Sequence, residues 1–170
     1  MKLKFSYWDM SQHESGSQSV HRKIRRAFEM IDTSERTRNS YGQYLLSSLD
    51  SDFFENRHRD CDLVLIEISK LENGELNDFV FEFDGFIHYI SRDSVTFEHA
   101  IFGVCPHWPL WSCPLSHYKI AVQTARDFFA MPESLDTELI VDLPESDMAQ
   151  IALFPPIMIE REEPLDLKHD

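Results

Sequence analysis

Glycine is scarce in this chain, five of 170 residues, and none stands in a G-x-G-x-x-G or G-x4-G-K-S/T loop. The backbone cradle that dinucleotides and nucleoside triphosphates need is therefore missing, and no cofactor is expected. Cysteine is almost as rare. Three occur, an odd number without paired spacing, which argues against a secreted disulfide framework and for reduced thiols in a cytoplasm. No run of about 18 apolar residues is present, and the opening MKLKFSYWDM lacks the apolar stretch of a signal peptide. Neither a membrane span nor export is expected. Bases are few as well, 16 against 30 acids, for a net charge of −14. A field of that sign repels phosphate backbones and steers cationic proteins inward, so direct nucleic-acid binding is not expected.

What remains is rich in core-forming residues. Apolar side chains make up 42% of the chain and aromatics 12%, too much for a disordered segment. The length suits one domain, taken here as residues 1–159 followed by an acidic tail, 160–170. The charge is uneven. Residues 60–84 hold eight acids and one base, residues 133–170 eleven acids and two bases, and residues 22–38 six bases and three acids. Each block has a simple reading as a solvated face.

Periodicity predicts an α+β fold, an antiparallel meander of about four to five strands packed against two to three helices. After a short apolar start at Leu3 and Phe5 and a polar stretch from Ser11 to Ser19, the spacing of Val20, Ile24, Ala27, Phe28 and Ile31 predicts a helix. A second helix capped by Asn39 or Ser40 would bury Tyr41, Leu45 and Leu49. From Asp62 to Glu98 the period becomes two. Strands are expected at Leu63 to Ser69, Phe79 to Phe83, Phe86 to Ser91 and Ser94 to Glu98. The joints would be hairpin turns at Asn73-Gly74 and Asp84-Gly85, of a type needing positive φ at both positions, and a weaker turn at Arg92-Asp93. A two-residue turn at Asp84-Gly85 pairs Phe83 with Phe86, Phe81 with His88 and Phe79 with Ile90, making one face strongly aromatic. A helix from Ser116 to Ala130, with Tyr118, Ala121, Val122, Ala125, Phe128 and Phe129 on one stripe, is the natural cover. Thr137 to Leu143 reads as a further strand, at an edge or beside the meander. Ile151 to Ile159, interrupted by Pro155-Pro156, reads as an edge segment or extended arm.

Candidate chemistry is sparse. Cys105, His107, Cys113 and His117 offer zinc-type ligands, yet the C-x-H-x5-C-x3-H spacing mixes types across Pro106, Pro109 and Pro114, unlike the paired cysteines of structural sites. A proline-rich crossing loop anchored by Trp108 and Trp111 explains it better, and no metal is expected. Cys61 has His58 nearby, but Asp60 and Asp62 raise a thiol's pKa and oppose activation. His88 reads as a hydrogen-bonded core or rim histidine. No catalytic residue is assigned. A small hydrolase or zinc enzyme, and an acidic mimic of nucleic acid, remain as other readings. The surface expected to meet a partner comprises Glu72, Glu75, Asp78 and Glu82, the loop tryptophans Trp108 and Trp111, and Glu138 and Asp142 on the last strand. The two strands taken as outermost, Ser94 to Glu98 and Leu139 to Leu143, are candidates for accepting a partner strand.

Several motifs together point further. These are S-Y-W-D (Ser6 to Asp9), a helix before the sheet, L-V-L-I-E-I-S, the L-E-N-G turn, F-V-F-E-F-D-G-F-I-H-Y-I-S-R-D-S-V-T-F-E, and a closing helix ending D-F-F. Over roughly residues 5–10 and 60–130 this order of elements resembles bacterial contact-dependent growth inhibition immunity proteins. The resemblance implies a cytoplasmic α+β protein that binds and neutralises the C-terminal toxin domain delivered by a neighbouring cell, often a nuclease with a basic face. Of the motif residues, Trp8 has an alternative reading as plain core.

Overall fold

The computed structural model describes residues 1–10, 24–53 and 57–144. The expectations for Ser11 to Ser19, for Ile151 to Ile159 and for the tail 160–170 fall outside them. Seven strands form two antiparallel sheets among the described residues. The first sheet contains β1 (Lys2–Asp9), β2 (Ile24–Ile31) and β7 (Glu138–Asp142) in the order β2-β1-β7. The second contains β3 (Asp78–Glu82), β4 (Phe86–Ser91), β5 (Ser94–His99) and β6 (Trp111–Pro114) in sequence order. Helices α1 (Glu35–Tyr41), α2 (Ser47–Ser51), α3 (Arg57–Glu72) and α4 (Leu115–Phe129) complete it, with a π-helical segment, Gly42–Leu46, joining α1 to α2. The α+β class expected from periodicity holds.

The second helix of the sequence reading is this α1–π–α2 unit, and it buries Tyr41, Leu45 and Leu49 completely. Its cap lies earlier than expected. Ser34 Oγ accepts the Thr37 N–H at 3.2 Å, and Glu35 follows in the first turn, where a negative charge favours the helix N-terminus.

Two elements differ in kind from expectation. Residues Ile24–Ile31 form β2, not the C-terminal half of a helix. Leu3, Phe5 and Tyr7 on β1 lie opposite Met30, Phe28 and Arg26, so the inward row of β2 contains an arginine. Arg26 is tolerated there because Asp50 Oδ1 pairs with it at 3.2 Å and its guanidinium lies over the rings of Phe28 and Phe129.

The second difference concerns Leu63 to Ser69, which lies inside α3 and is not a strand. Cys61, Val64, Ile68 and Leu71 are buried at helical spacing, while Leu63 and Ile66 are exposed. Asn73-Gly74 is accordingly no hairpin turn. Gly74 has φ +79°, its N–H bonds to Leu71 O at 3.1 Å, and the Glu75 N–H bonds to Lys70 O at 2.9 Å. This pair of bonds is the Schellman motif, which satisfies carbonyls left over at a helix C-terminus. Replacing Gly74 with alanine forces a Cβ into the left-handed region and is expected to cost about 1–2 kcal/mol, read as a lower urea midpoint with unchanged slope. A midpoint equal to that of the parent protein would contradict this role.

The β3–β4 hairpin has the expected register: Phe79 opposes Ile90, Phe81 opposes His88, and the Phe83 N–H bonds to Phe86 O at 3.1 Å. Its turn is of another type, since neither Asp84 nor Gly85 has positive φ. Asp52 Oδ1 instead accepts the Gly85 N–H at 2.9 Å. A Cβ on Gly85 would come within 2.5 Å of that oxygen, so glycine here serves close approach.

Helix α4 lies between the two sheets, which explains its broad apolar stripe. Tyr118 meets His88 and Phe97 on the second sheet, and Phe128 meets Phe5, Tyr7 and Phe28 on the first. Its third neighbour is α3, joined to it by a bidentate contact of Lys119 Nζ with Glu72 at 2.7 and 2.8 Å and by Arg126 with Asp62. Exposed pairs of this kind stabilise little, about 1 kcal/mol at most, so the buried aromatics do most to hold the sheets together. Strand β7 takes the first of its two expected places, at an edge: it pairs with β1 in the first sheet and is not docked beside the meander. Strand β5 is flanked by β4 and β6, so it is internal and not an outer strand. The edge strands among the described residues are β2, β7, β3 and β6.

Candidate functional site: an acidic sheet face

Successive side chains of a strand point to opposite faces, so the buried aromatic row of the second sheet leaves a complementary outer row. The register places Val80, Tyr89, Thr96 and Ser112 side by side across β3, β4, β5 and β6. One step along, Glu82, Ile87 and Glu98 form a parallel row. The helices pack on the opposite face, where Phe86, His88, Ile90, Val95, Phe97 and Trp111 are buried. On the outer face Val80 is 49% and Tyr89 40% exposed. The Tyr89 hydroxyl donates to Glu98 Oε2 at 2.8 Å, and Thr96 and Ser112 hydroxyls meet at 2.7 Å. These bonds make the face firm and hydroxyl-lined.

The carboxylates fall along β3 and its flanks. Glu75, Asp78, Glu82 and Asp84 are all exposed, and none of them takes part in an ion pair among the described residues. Asp78 and Glu82 share the outward row with Val80. Arg92 reaches the Leu76 carbonyl at 3.5 Å beside these acids, without a carboxylate partner among the described residues, but six other cations are placed differently. Lys2, Lys4, Arg26, Lys70, Lys119 and Arg126 are each tied to a carboxylate within the fold.

The residues expected to meet a partner therefore divide. Glu75, Asp78 and Glu82 come together at the β3 edge. Glu72 ends α3, near them in sequence, but is held by Lys119. Glu138 and Asp142 lie on β7 in the other sheet, where Lys4 bridges Glu138 at 3.0 Å and Glu29 at 3.5 Å. Trp111 is not a loop residue: it sits in β6, 9% exposed, stacked on Tyr44, so it belongs to the core. Trp108 does lie in the connecting loop, packed on His99, Tyr44 and Phe86. Trp8, by contrast, is 59% exposed and not core. It borders a cleft of about 360 Å³ with Arg26, Phe28, Gly42 and Asp50, in which the arginine is already neutralised by Asp50.

Other groups with possible chemistry are absorbed by the fold. Among the described residues, no three His, Cys, Asp or Glu side chains come together as metal ligands would. His117 is fully engaged: Nε2 donates to Pro144 O at 2.8 Å, so Nδ1 accepts from the Tyr41 hydroxyl at 2.7 Å. Burial pushes the Cys61 thiol up to about 12, with Asp60 and Asp62 adding to the effect, and it raises Cys113 further. Neither is an activated nucleophile.

His88 is a hydrogen-bonded core histidine, as expected, but its partners were not foreseen. His88 is completely buried, with Nδ1 2.8 Å from the Tyr118 hydroxyl and Nε2 3.6 Å from Asp52 Oδ2. Among the described residues neither Nε2 nor Oδ2 has a partner within hydrogen-bonding distance. A proton on Nε2 faces the carboxylate favourably, whereas a lone pair there would be repelled, so the neutral ring accepts from Tyr118. Burial holds His88 below the usual histidine pKa despite the opposing influence of Asp52. No sequence motif announces Asp52, which follows the last turn of α2.

Among the described residues no helix is long and apolar enough to cross a membrane. Comparison of the chain with protein-family models, with characterised proteins and with solved structures finds no match.

Proposed function

We propose that this chain is an immunity protein of the contact-dependent growth inhibition type, a cytoplasmic protein that neutralises a toxin domain by covering its basic face. The observation that carries the reading is the set of carboxylates Glu75, Asp78, Glu82 and Asp84 along β3 and its flanks, none of them in an ion pair among the described residues, whereas six cations of the fold are paired internally. Like charges kept together raise the local potential at a cost in self-repulsion, and a cationic partner relieves that cost.

The test is binding of the purified C-terminal domain of the protein encoded immediately upstream of this chain's gene, with protection of cells that express that domain. Association should slow steeply between low and physiological salt, where the Debye length falls from about 30 Å to about 8 Å. Charge reversal at Glu75, Asp78 and Glu82 should remove most of that dependence. An on-rate indifferent to salt would sink the electrostatic reading.

A further inference from the structure

We infer that the partner docks flat on the outer face of the four-stranded sheet, with Val80 and Tyr89 as its apolar centre and Asp78 and Glu82 as its charged rim. This deepens the proposed function and rests on it. Docking interfaces of high affinity combine an apolar or aromatic anchor with surrounding polar groups that exclude water. Val80 and Tyr89 are register partners on adjacent strands and remain 49% and 40% exposed, with Ile87 part-buried in the next row of the same face and Glu98 buried beside it. Tyr89 is held by its bond to Glu98, so little side-chain freedom is lost on binding.

Charge selects the occupant. Asp78 and Glu82 flank Val80 on the same row, and neither is neutralised among the described residues. A partner presenting arginine or lysine around an apolar contact fits. A second copy would bring the same acids against each other.

The experiment measures affinity for the same upstream-encoded toxin domain with full-length variants. Val80→Arg, and separately Asp78→Lys with Glu82→Lys, should each weaken binding about tenfold or more, while thermal midpoints stay near that of the parent because these side chains face solvent. Asp127→Lys with Asp136→Lys serves as the control, giving the same change in net charge on other elements with at most a small effect on affinity. If the control weakens binding as much as the β3 pair, only net charge matters and the docking face is wrong. If the parent binds but Val80→Arg binds equally well, the surface lies elsewhere while the proposed function stands. If the parent does not bind the domain, both fall. A variant that changes self-association of this chain and not partner affinity would assign the face to a second copy, again overturning the inference.

Discussion

Truncating Phe128 to alanine should cost about 3–5 kcal/mol, a large share of the roughly 5–15 kcal/mol that holds a domain of this size together. The ring is fully buried at the point where α4 meets the first sheet, 4.9 Å from Tyr7, 5.8 Å from Phe5 and 5.8 Å from Phe28. Three strand side chains thus share one helix side chain, and its removal leaves a cavity they cannot jointly fill. Phe81 and Phe129, attractive targets from the sequence alone, are only partly buried and should each cost less. Chemical denaturation of the three variants orders them directly. Equal losses at Phe128 and Phe129 would mean that α4 is rotated from its described position.

Acid should weaken the fold before ordinary carboxylate titration begins. His88 and His117 both have depressed pKa values, in each case chiefly because burial disfavours the charged ring. Asp52 opposes the shift at His88, and the Pro144 carbonyl opposes it at His117, where the N-terminal charge acts with burial. The unfolded chain then binds protons at about pH 6.5 that the folded chain still refuses. Stability is full above that value and declines as pH falls from it toward the lower folded-state values. Thermal midpoints at intervals from about pH 7.5 to 5 should therefore fall, and His88→Gln should flatten the curve while lowering its upper plateau. A midpoint independent of pH across that window would mean that neither ring is buried neutral.

Legibility followed how far local pattern and tertiary demand agreed. The β3–β4 register, the α4 stripe and the buried spacing of Tyr41, Leu45 and Leu49 were readable because alternation or helical period there matches burial. Residues 63–69 misled because Val64, Ile66 and Ile68 favour strands locally, whereas packing against α4 demands the helical spacing of Cys61, Val64, Ile68 and Leu71. The Asn73-Gly74 pair held the correcting signal, since the same glycine that closes a hairpin also closes a helix. In β2 the inward arginine broke the alternation and left Ile24, Ala27, Phe28 and Ile31 at helix-like intervals. Only the distant Asp50 makes that arginine acceptable. The acids of the candidate face were visible as a charge block, but Val80 and Tyr89 as its centre required knowing which face the helices cover.

The order β2-β1-β7 has a consequence for the birth of the chain. Lys2 pairs with Asp142, and the Met1 carbonyl accepts the Leu143 N–H at 3.0 Å. Strand β1 thus acquires its second neighbour only when the last strand of the described fold appears. At translation rates of about 5–20 residues per second, that interval is on the order of 10 s. Through it Leu3, Phe5 and Tyr7 must shelter on β2 alone, with Phe128 also still to come. During that interval the first sheet is half-built, its inner side open to other chains and to chaperones, until the ribosome delivers the strand that closes it.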